Sequence, residues 1–176
     1  MKDLSLELIE KAKKIRAIIF DVDGVLTDGK ITYDNNGMEF KSFNVKDGQI
    51  IKHLKNQKIL TGVITGRDSK VVRNRCNELK IDFHYHGIHD KFSVFYKEMT
   101  KLKITPDQVA YVGDDINDLP VLRVVGLSAT PADGHYKVKD EVGLILSSKG
   151  GEGVVRELAD IILESQGVYD LILKKQ

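Results

Sequence analysis

Two short acidic stretches hold the residues best suited to do chemistry. Asp21 and Asp23 stand one residue apart directly after an apolar run, and Asp114, Asp115 and Asp118 follow another apolar run. Ligands of open α/β sheets collect where buried strands end, and residues i and i+2 of an extended chain point the same way. Carboxylates gathered at such an edge repel one another unless a cation lies among them. Magnesium prefers oxygen ligands, so the two stretches together predict a magnesium site.

The same residue types allow other interpretations. Aspartate and glycine also favour turns, so the first stretch alone could be an ordinary junction between a strand and a turn. Zinc is disfavoured because Cys76 is the only cysteine and histidines are few. Three of the five histidines crowd together and could bind a metal ion, but we favour the interpretation that they line a pocket or lie on a loop: His84, His86 and His89.

Two further positions could hold a phosphate group. Thr65 and Gly66 follow a third apolar run. A hydroxyl and free backbone amides at a strand end can bind an anion, particularly if Ser69 begins the next helix. Lys91 opens a segment with helical spacing. Taken singly, the threonine suits a structural role and the lysine a surface position, but their order between the two acidic stretches makes them candidates.

The pattern of apolar residues predicts the elements that would position these side chains. Four short apolar runs suit strands buried on both faces, at residues 17–20, 59–64, 109–112 and 144–146. Helical spacing occurs between or after them, around residues 50–54, 72–79, 92–102 and 154–162. Because parallel strands need long crossovers, this alternation predicts a doubly wound α/β fold with a parallel sheet and helices on both faces. Residues 30–33 and 39–43 predict an inserted β-hairpin.

Length and composition fit a single domain. The chain has 176 residues, 41% of them hydrophobic and 30% charged, and we assign residues 1–176 to one domain. We expect an N-terminal helix in residues 1–14, the hairpin in residues 30–43 and a C-terminal tail in residues 167–176. A formal net charge of +1 gives no indication of a nucleic-acid partner. No run approaches the roughly 20 apolar residues of a membrane-spanning helix, so we expect no membrane partner and a cytoplasmic protein.

Taken together, the motifs resemble those of the haloacid dehalogenase superfamily. The matching segments are DVDG at 21–24, TG at 65–66, Lys91 and GDDIND at 113–118. The resemblance runs from about residue 17 to the end of the chain. It is greatest for the branch without a large cap domain that contains phosphatases of 3-deoxy-D-manno-octulosonate 8-phosphate. The segments that carry this finer match are 26–43, GRDSKVVRNRCNEL at 66–79 and GGEGVVREL at 150–158.

The resemblance implies a role for each motif residue. Asp21 would attack phosphorus, and Asp23 would protonate the leaving sugar oxygen and later deprotonate the hydrolytic water. Thr65, Gly66 and Lys91 would bind the transferring phosphoryl group.

The same resemblance implies how magnesium would be held. Its ligands would be the Asp21 carboxylate, the Asp23 backbone carbonyl and Asp114. Asp115, Asn117 and Asp118 would support the site by orienting metal-bound waters and the lysine.

The branch also implies a substrate and an assembly. The substrate would be a phosphorylated sugar acid, whose carboxylate Arg67 and Arg75 could bind, with Arg156 a weaker candidate. Each of these arginines could equally be a solvated helix residue. A homotetramer would form with its hairpins packed together, so that active sites lie near subunit interfaces and a neighbour's C-terminal tail can close them.

Three alternatives to this function stay open at the level of sequence. A nine-carbon keto-deoxy sugar acid 9-phosphate would use the same catalytic residues. A signalling receiver domain also has a doubly wound sheet and a phosphorylated aspartate, although its acidic pair and its phosphorylated aspartate lie on different strands. A regulatory domain of a sugar nucleotide synthetase would not need the intact set of motif residues.

Overall fold

The computed structural model describes residues 4–170, and residues 1–3 and 171–176 lie outside that range. Most of the predicted C-terminal tail therefore falls outside the described residues. The strands are β1 (Ala17–Phe20), β2 (Thr32–Tyr33), β3 (Glu39–Phe40), β4 (Leu60–Ile64), β5 (Phe83–Tyr85), β6 (Val109–Val112), β7 (Leu127–Thr130) and β8 (Leu144–Ile145). The helices are α1 (Leu6–Lys13), α2 (Val45–Asn56), α3 (Lys70–Leu79), α4 (Lys91–Leu102), α5 (Leu119–Leu122), α6 (Tyr136–Lys139) and α7 (Val154–Ser165).

Six strands form one parallel sheet, in the order β5-β4-β1-β6-β7-β8. From β1 the chain first adds β4 and β5 on one side. It then returns to the other side of β1 and adds β6, β7 and β8, so the strand order reverses between β1 and β6. β2 and β3 pair antiparallel as a separate hairpin between β1 and α2. Within residues 4–170 no larger insertion is present, so the predicted doubly wound fold without a large cap is confirmed.

Hydrophobic side chains cover both faces of the sheet. Alternate residues of β1 point to opposite faces, with Ile18 and Phe20 in one cluster and Ala17 and Ile19 in the other. Helices α1, α2, α3 and α7 pack on the first face, and α4, α5 and α6 pack on the second. Burial on both sides explains why β1 and β6 read as continuous apolar runs.

The structure differs from the sequence-based expectation mainly in short elements. The hairpin strands are two residues each, shorter than the predicted 30–33 and 39–43, because the hairpin packs little of its surface against the core. The strands β5 and β7 and the four-residue helices α5 and α6 were not predicted. His84 lies on β5 and not on a loop. Within residues 4–170, none of the helices has the length and apolar character that a bilayer crossing requires.

Candidate active site

The carboxyl ends of three neighbouring strands place the predicted site residues side by side. β1 pairs with β4 on one side and with β6 on the other, and Phe20 lies level with Val63 and Val112. The chain therefore delivers Asp21 and Asp114 to the same edge of the sheet, just beyond β1 and β6. This edge, where the strand order reverses, is where open α/β sheets bind ligands.

Lys91 reaches this edge from the first residue of α4. Asp90 caps the helix by accepting a hydrogen bond from the backbone of Ser93 at 3.0 Å, which fixes where the helix begins. The Lys91 side chain is buried, and its Nζ lies 2.8 Å from Asp21 Oδ2 and 2.7 Å from Asp118 Oδ1. Burial alone would lower the pKa of Lys91, but the two carboxylates outweigh it and raise the pKa above its usual value. The lysine is therefore a fixed cation within the site.

Asp118 is fully buried, and both of its carboxylate oxygens accept hydrogen bonds. Oδ1 accepts from Lys91 Nζ and the Tyr111 hydroxyl, both at 2.7 Å. Oδ2 accepts from the backbone amides of Asp114 at 3.1 Å and Asp115 at 3.3 Å. A carboxylate occupied in this way holds the acidic loop and the lysine in place, in line with the supporting role expected for it.

Asp115 and Asn117 lie on the outer side of the same loop and are exposed. The Asp115 carboxylate accepts from the backbone amide of Ile116 at 2.8 Å and caps a short 3₁₀ helix, Ile116–Asp118. Its visible contribution is to the shape of the loop.

Burial makes the remaining carboxyl groups of the cluster hard to ionise without a cation. Desolvation, followed by the nearby charge of Asp118, raises the pKa of Asp21 to about 6, although Lys91 opposes the shift. Desolvation, then the charges of Asp21 and Asp118, raises the pKa of Asp114 to about 8. A bound divalent cation would remove this penalty by favouring the ionised forms.

The geometry of the cluster fits a hard divalent ion. One carboxylate oxygen from each of Asp21, Asp114 and Asp118 lies within 4.8 Å of the others. Because the lone pairs of Asp118 are already used, Asp21 and Asp114 are the carboxylates available to a metal. Asp21 Oδ1 is buried and has no hydrogen-bond partner within residues 4–170, which suits a metal ligand or an attacking atom.

Gly24 allows the two acidic stretches to approach each other. Its φ of +84° is in the left-handed region, and a Cβ at this position would lie 2.1 Å from Asp114 Oδ2. Only glycine therefore fits beneath the Asp114 carboxylate.

Asp23 faces the hairpin instead of the buried cluster. The Lys41 ammonium, whose side chain is buried, donates a hydrogen bond to Asp23 Oδ1. Arg67 Nε lies 3.7 Å from Asp23 Oδ2, and its Nη2 donates to the Tyr33 hydroxyl at 3.0 Å and to Glu39 Oε1 at 3.3 Å. These contacts tie the hairpin to the mouth of the site.

Sequence reasoning did not identify Lys41 and Glu39 as site residues. Their spacing carried a usable indication, because residues i and i+2 of an extended chain point the same way, and Lys41 Nζ lies 3.8 Å from Glu39 Oε1. What the sequence did not reveal is that the hairpin folds back over the end of β1.

The predicted phosphate loop follows β4. The backbone of Thr65 donates to the Tyr85 carbonyl at 3.0 Å, which extends the pairing of β4 with β5 beyond the strand end. Ser69 is the N-cap of α3, so the helix after this loop begins where the phosphate-binding hypothesis placed it. A Cβ on Gly66 would lie 3.9 Å from the Asn117 amide nitrogen, so this loop and the acidic loop adjoin.

The structure does not bring Arg75 and Arg156 into this group. Arg75 Nη1 pairs with Glu78 at 2.9 Å, and its guanidinium lies over the Phe43 ring, 5.7 Å from the centroid. Arg156 Nε bonds both carboxylate oxygens of Asp160 at 2.8 Å. Within this subunit both arginines have partners away from Asp21, so binding of substrate by Arg75 stays a prediction.

Comparison with known proteins identifies the family. A model of the haloacid dehalogenase-like hydrolases matches residues 43–126, which include Thr65, Lys91 and Asp114. The chain is also 44% identical to the 3-deoxy-D-manno-octulosonate 8-phosphate phosphatase KdsC of Escherichia coli K12 over 167 residues, 95% of this chain and 89% of that protein. The chain belongs to the haloacid dehalogenase-like hydrolases. The resemblance inferred from the motifs is thereby confirmed.

Solved structures of this hydrolase family share the whole fold. The 3-deoxy-D-manno-octulosonate 8-phosphate phosphatase of Yersinia pestis is 41% identical with a TM-score of 0.93, covering 95% of this chain and 90% of its own. The enzyme of the same name from Moraxella catarrhalis, in complex with magnesium, phosphate and KDO, is 36% identical with a TM-score of 0.93, covering 96% of this chain and 97% of its own. A cobalt-bound phosphatase from Haemophilus influenzae is 42% identical with a TM-score of 0.86, covering 91% and 95%.

Membership of the haloacid dehalogenase-like hydrolases sets aside the receiver-domain alternative. It also gives the buried acidic cluster a chemical context, since hydrolysis needs a nucleophile, a proton donor and stabilisation of developing charge. Asp21, Asp23 and Lys91 are the candidates for those tasks.

Proposed function

We propose that this chain is a magnesium-dependent phosphatase that removes the phosphate of 3-deoxy-D-manno-octulosonate 8-phosphate. The observation that carries the proposal is the buried pair of Asp21 and Lys91, 2.8 Å apart, beside Asp114. The other oxygen of Asp21 has no hydrogen-bond partner among the described residues 4–170. The identity of 44% to a phosphatase of this substrate supports the choice of sugar acid.

In the proposed reaction, Asp21 attacks phosphorus and the bond from phosphorus to the sugar oxygen breaks. Asp23 gives its proton to that leaving oxygen, so the sugar acid departs as an alcohol. Water then attacks the aspartyl phosphate, Asp23 takes a proton from the water, and phosphate leaves with Asp21 restored. The two steps together return Asp21 and Asp23 to their starting states.

The remaining motif residues stabilise charge in this scheme. Lys91, Thr65 and the Gly66 amide face the phosphoryl oxygens, and Asp118 holds the lysine. Asp21, the Asp23 backbone carbonyl and Asp114 would hold magnesium, which when bound neutralises charge on the phosphoryl group and on the carboxylates. Asp115 and Asn117 would support the acidic loop.

Arg67 is the residue of the site mouth best placed to bind the sugar-acid carboxylate. Its side chain is 42% exposed, and Tyr33 and Glu39 hold its guanidinium in position. The guanidinium could therefore bind the substrate carboxylate without first being ordered. Arg75 would take part only if a neighbouring subunit presented it.

The hairpin gives a physical reason to expect an assembly. It exposes large apolar side chains that a monomer leaves in water: Ile31, Tyr33, Met38 and Phe40. Phe43, the last residue of the predicted hairpin, is partly buried against the core. We propose that residues 1–176 form one phosphatase domain, that four copies associate through their hairpins, and that the enzyme acts in the cytoplasm.

A panel of phosphate esters tests the substrate. Phosphate release with magnesium would be measured for the eight-carbon 8-phosphate, a nine-carbon keto-deoxy sugar acid 9-phosphate and p-nitrophenyl phosphate. We expect the eight-carbon ester to have a kcat/KM at least about tenfold above the others, as differences in binding of one polar group allow. If the nine-carbon ester had the higher kcat/KM, the proposed substrate would be wrong. If no ester were hydrolysed, the proposed phosphatase function would be wrong.

A further inference from the structure

A second group of potential metal ligands lies between α3 and β5. Cys76 of α3 is buried, and His84 of β5 and His86 just beyond it project to the same side because alternate residues of a strand do so. His84 Nδ1 lies 2.8 Å from His86 Nε2. One ligand atom from each of the three residues lies within 4.8 Å of the other two.

This group shares no residue with the acidic cluster and differs from it in chemistry. A thiol and two imidazoles are soft or borderline ligands that favour zinc and similar transition metals, whereas the oxygens of Asp21 and Asp114 favour magnesium. Two different cations could therefore bind the chain without competing for the same donors.

The surroundings keep both imidazoles in the form that binds metals. Burial, followed by the positive charge of Arg73, lowers the pKa of His86 to about 4 and also lowers that of His84. Asp68 opposes the effect on His86 only weakly, because Arg73 already pairs with it through two hydrogen bonds of 2.7 and 2.8 Å. Both rings are therefore neutral at neutral pH.

The thiol can also become a ligand. Burial raises the pKa of Cys76 to about 11, so without metal it carries its proton. A coordinating metal displaces that proton, because the thiolate is the binding form.

The hydrogen bonding of the group is incomplete. His86 Nδ1 is buried and has no partner within residues 4–170. His84 Nδ1 and His86 Nε2 lie 2.8 Å apart because one ring donates a hydrogen bond to the other. A zinc ion bound by these two nitrogens would replace that hydrogen bond and hold them roughly 3.3 Å apart.

We propose that Cys76, His84 and His86 bind a zinc-class divalent cation, with a solvent molecule completing the tetrahedron. The ion would join α3 to the edge strand β5. Since the Thr65 backbone bonds the Tyr85 carbonyl, this link would also brace the loop that begins with Thr65.

Cobalt and zinc titrations of the whole protein test the proposal. With magnesium in excess to fill the acidic cluster, cobalt should produce a sulfur-to-cobalt charge-transfer band, which oxygen ligands cannot give. Calorimetry should show one zinc ion bound per chain, and zinc should raise the melting temperature of the protein.

Three variants assign the ligands. Cys76→Ser should abolish the charge-transfer band, and His86→Ala should weaken zinc binding by more than about 100-fold, since even the loss of an outer partner costs about 10–100-fold. His89→Ala removes an exposed histidine from the next loop and should bind zinc as the wild type does. Circular dichroism of each variant checks folding.

Two results would overturn the proposal. One is a wild-type protein that gives no sulfur-to-cobalt band in the presence of magnesium. The other is zinc affinity within about threefold of wild type in a folded His86→Ala protein, against the loss expected of a ligand.

Discussion

The ammonium group of Lys91 lies 2.8 Å from a carboxylate oxygen of Asp21, and both side chains are buried. The pair sets a cation beside the proposed nucleophile before any substrate arrives. A charge fixed in advance needs no rearrangement in the transition state, where it is most effective. The second Asp21 oxygen has no hydrogen-bond partner in the part of the chain that the structure describes, so one carboxylate can be both anchored and reactive.

Replacing Asp21 with Asn should abolish phosphate release while leaving the fold intact. The amide keeps the shape of the carboxylate but cannot form an acyl phosphate of the same kind, so we expect a loss of at least about 1000-fold in kcat. Asp28→Asn is a matched control, because this exposed aspartate of the same loop pairs with Lys30 at 3.0 Å and lies outside the buried cluster. Turnover above a few per cent of wild type in Asp21→Asn would refute the nucleophile.

Replacing Lys91 with Met should damage both stability and activity. Two buried carboxylates would lose their cation, and the free energy of unfolding should fall by about 3–5 kcal/mol in urea titrations without metal. Adding Asp118→Asn to that variant removes one of the unpaired charges and should recover part of the stability. If the single and double variants were equally unstable, the two carboxylates would not be coupled through the lysine.

The metal-free protein should lose stability as pH rises toward 8. Asp21 and Asp114 have raised pKa values of about 6 and about 8, so the folded state keeps protons that the unfolded state has already released. The unfolded state then binds fewer protons, and the free energy of unfolding declines with increasing pH. Melting temperatures in a chelator should fall between about pH 4, the ordinary pKa of an aspartate, and about pH 8, the raised pKa of Asp114.

Magnesium should reverse that decline, with the largest increase in melting temperature at the alkaline end. Asp114→Asn should flatten the profile in the chelator and reduce the response to magnesium. A wild-type profile in the chelator that rises with pH would contradict the charge arrangement of the cluster.

Lys41 should act as a positioning residue for Asp23. Lys41→Met removes the hydrogen bond to the Asp23 carboxylate, and we expect kcat to fall by about 10–100-fold, within the usual contribution of acid–base catalysis, with a smaller change in KM. Lys41→Arg should restore part of kcat because it returns a donor. Lys30→Met, at an exposed lysine of the hairpin, is the control. Equal kcat values for Lys41→Met and wild type would exclude this role.

The hairpin surface should decide the oligomeric state. Phe40 is 50% exposed, and Phe40→Arg should reduce the molar mass measured by light scattering if hairpins pack together. Tyr96→Arg on α4 replaces an aromatic residue that is 59% exposed and should leave the mass unchanged. A tetramer that persists in Phe40→Arg would place the interface elsewhere.

The long buried elements could be predicted from the sequence, and the short or long-range features could not. β1 and β6 are apolar at every position because both faces are covered, so their bounds agree with the runs 17–20 and 109–112. β5 and β7 contain His84, Ser128 and Thr130, which interrupt the apolar pattern at the sheet periphery. Local periodicity does not reveal such strands.

The candidate site shows the same division. The positions of Asp21, Thr65 and Asp114 follow from strand ends, which sequence patterns locate well. The contact of Lys41 with Asp23 spans 18 residues and depends on the path of the hairpin. The meeting of Cys76 with His84 and His86 depends on how α3 packs against an edge strand, and no spacing rule contains that information.

The central place of β1 has a consequence for motion. Asp21 extends from a strand flanked by β4 and β6, so its backbone can be displaced only when the whole sheet opens, and amide exchange at Phe20 should be as slow as global unfolding. Lys41 follows a hairpin whose two strands share only two residue pairs. Asp21 would thus lie in one of the most rigid parts of the molecule, and Lys41 in one of the more mobile parts. Sugar acids could then enter and leave past the hairpin without disturbing the nucleophile.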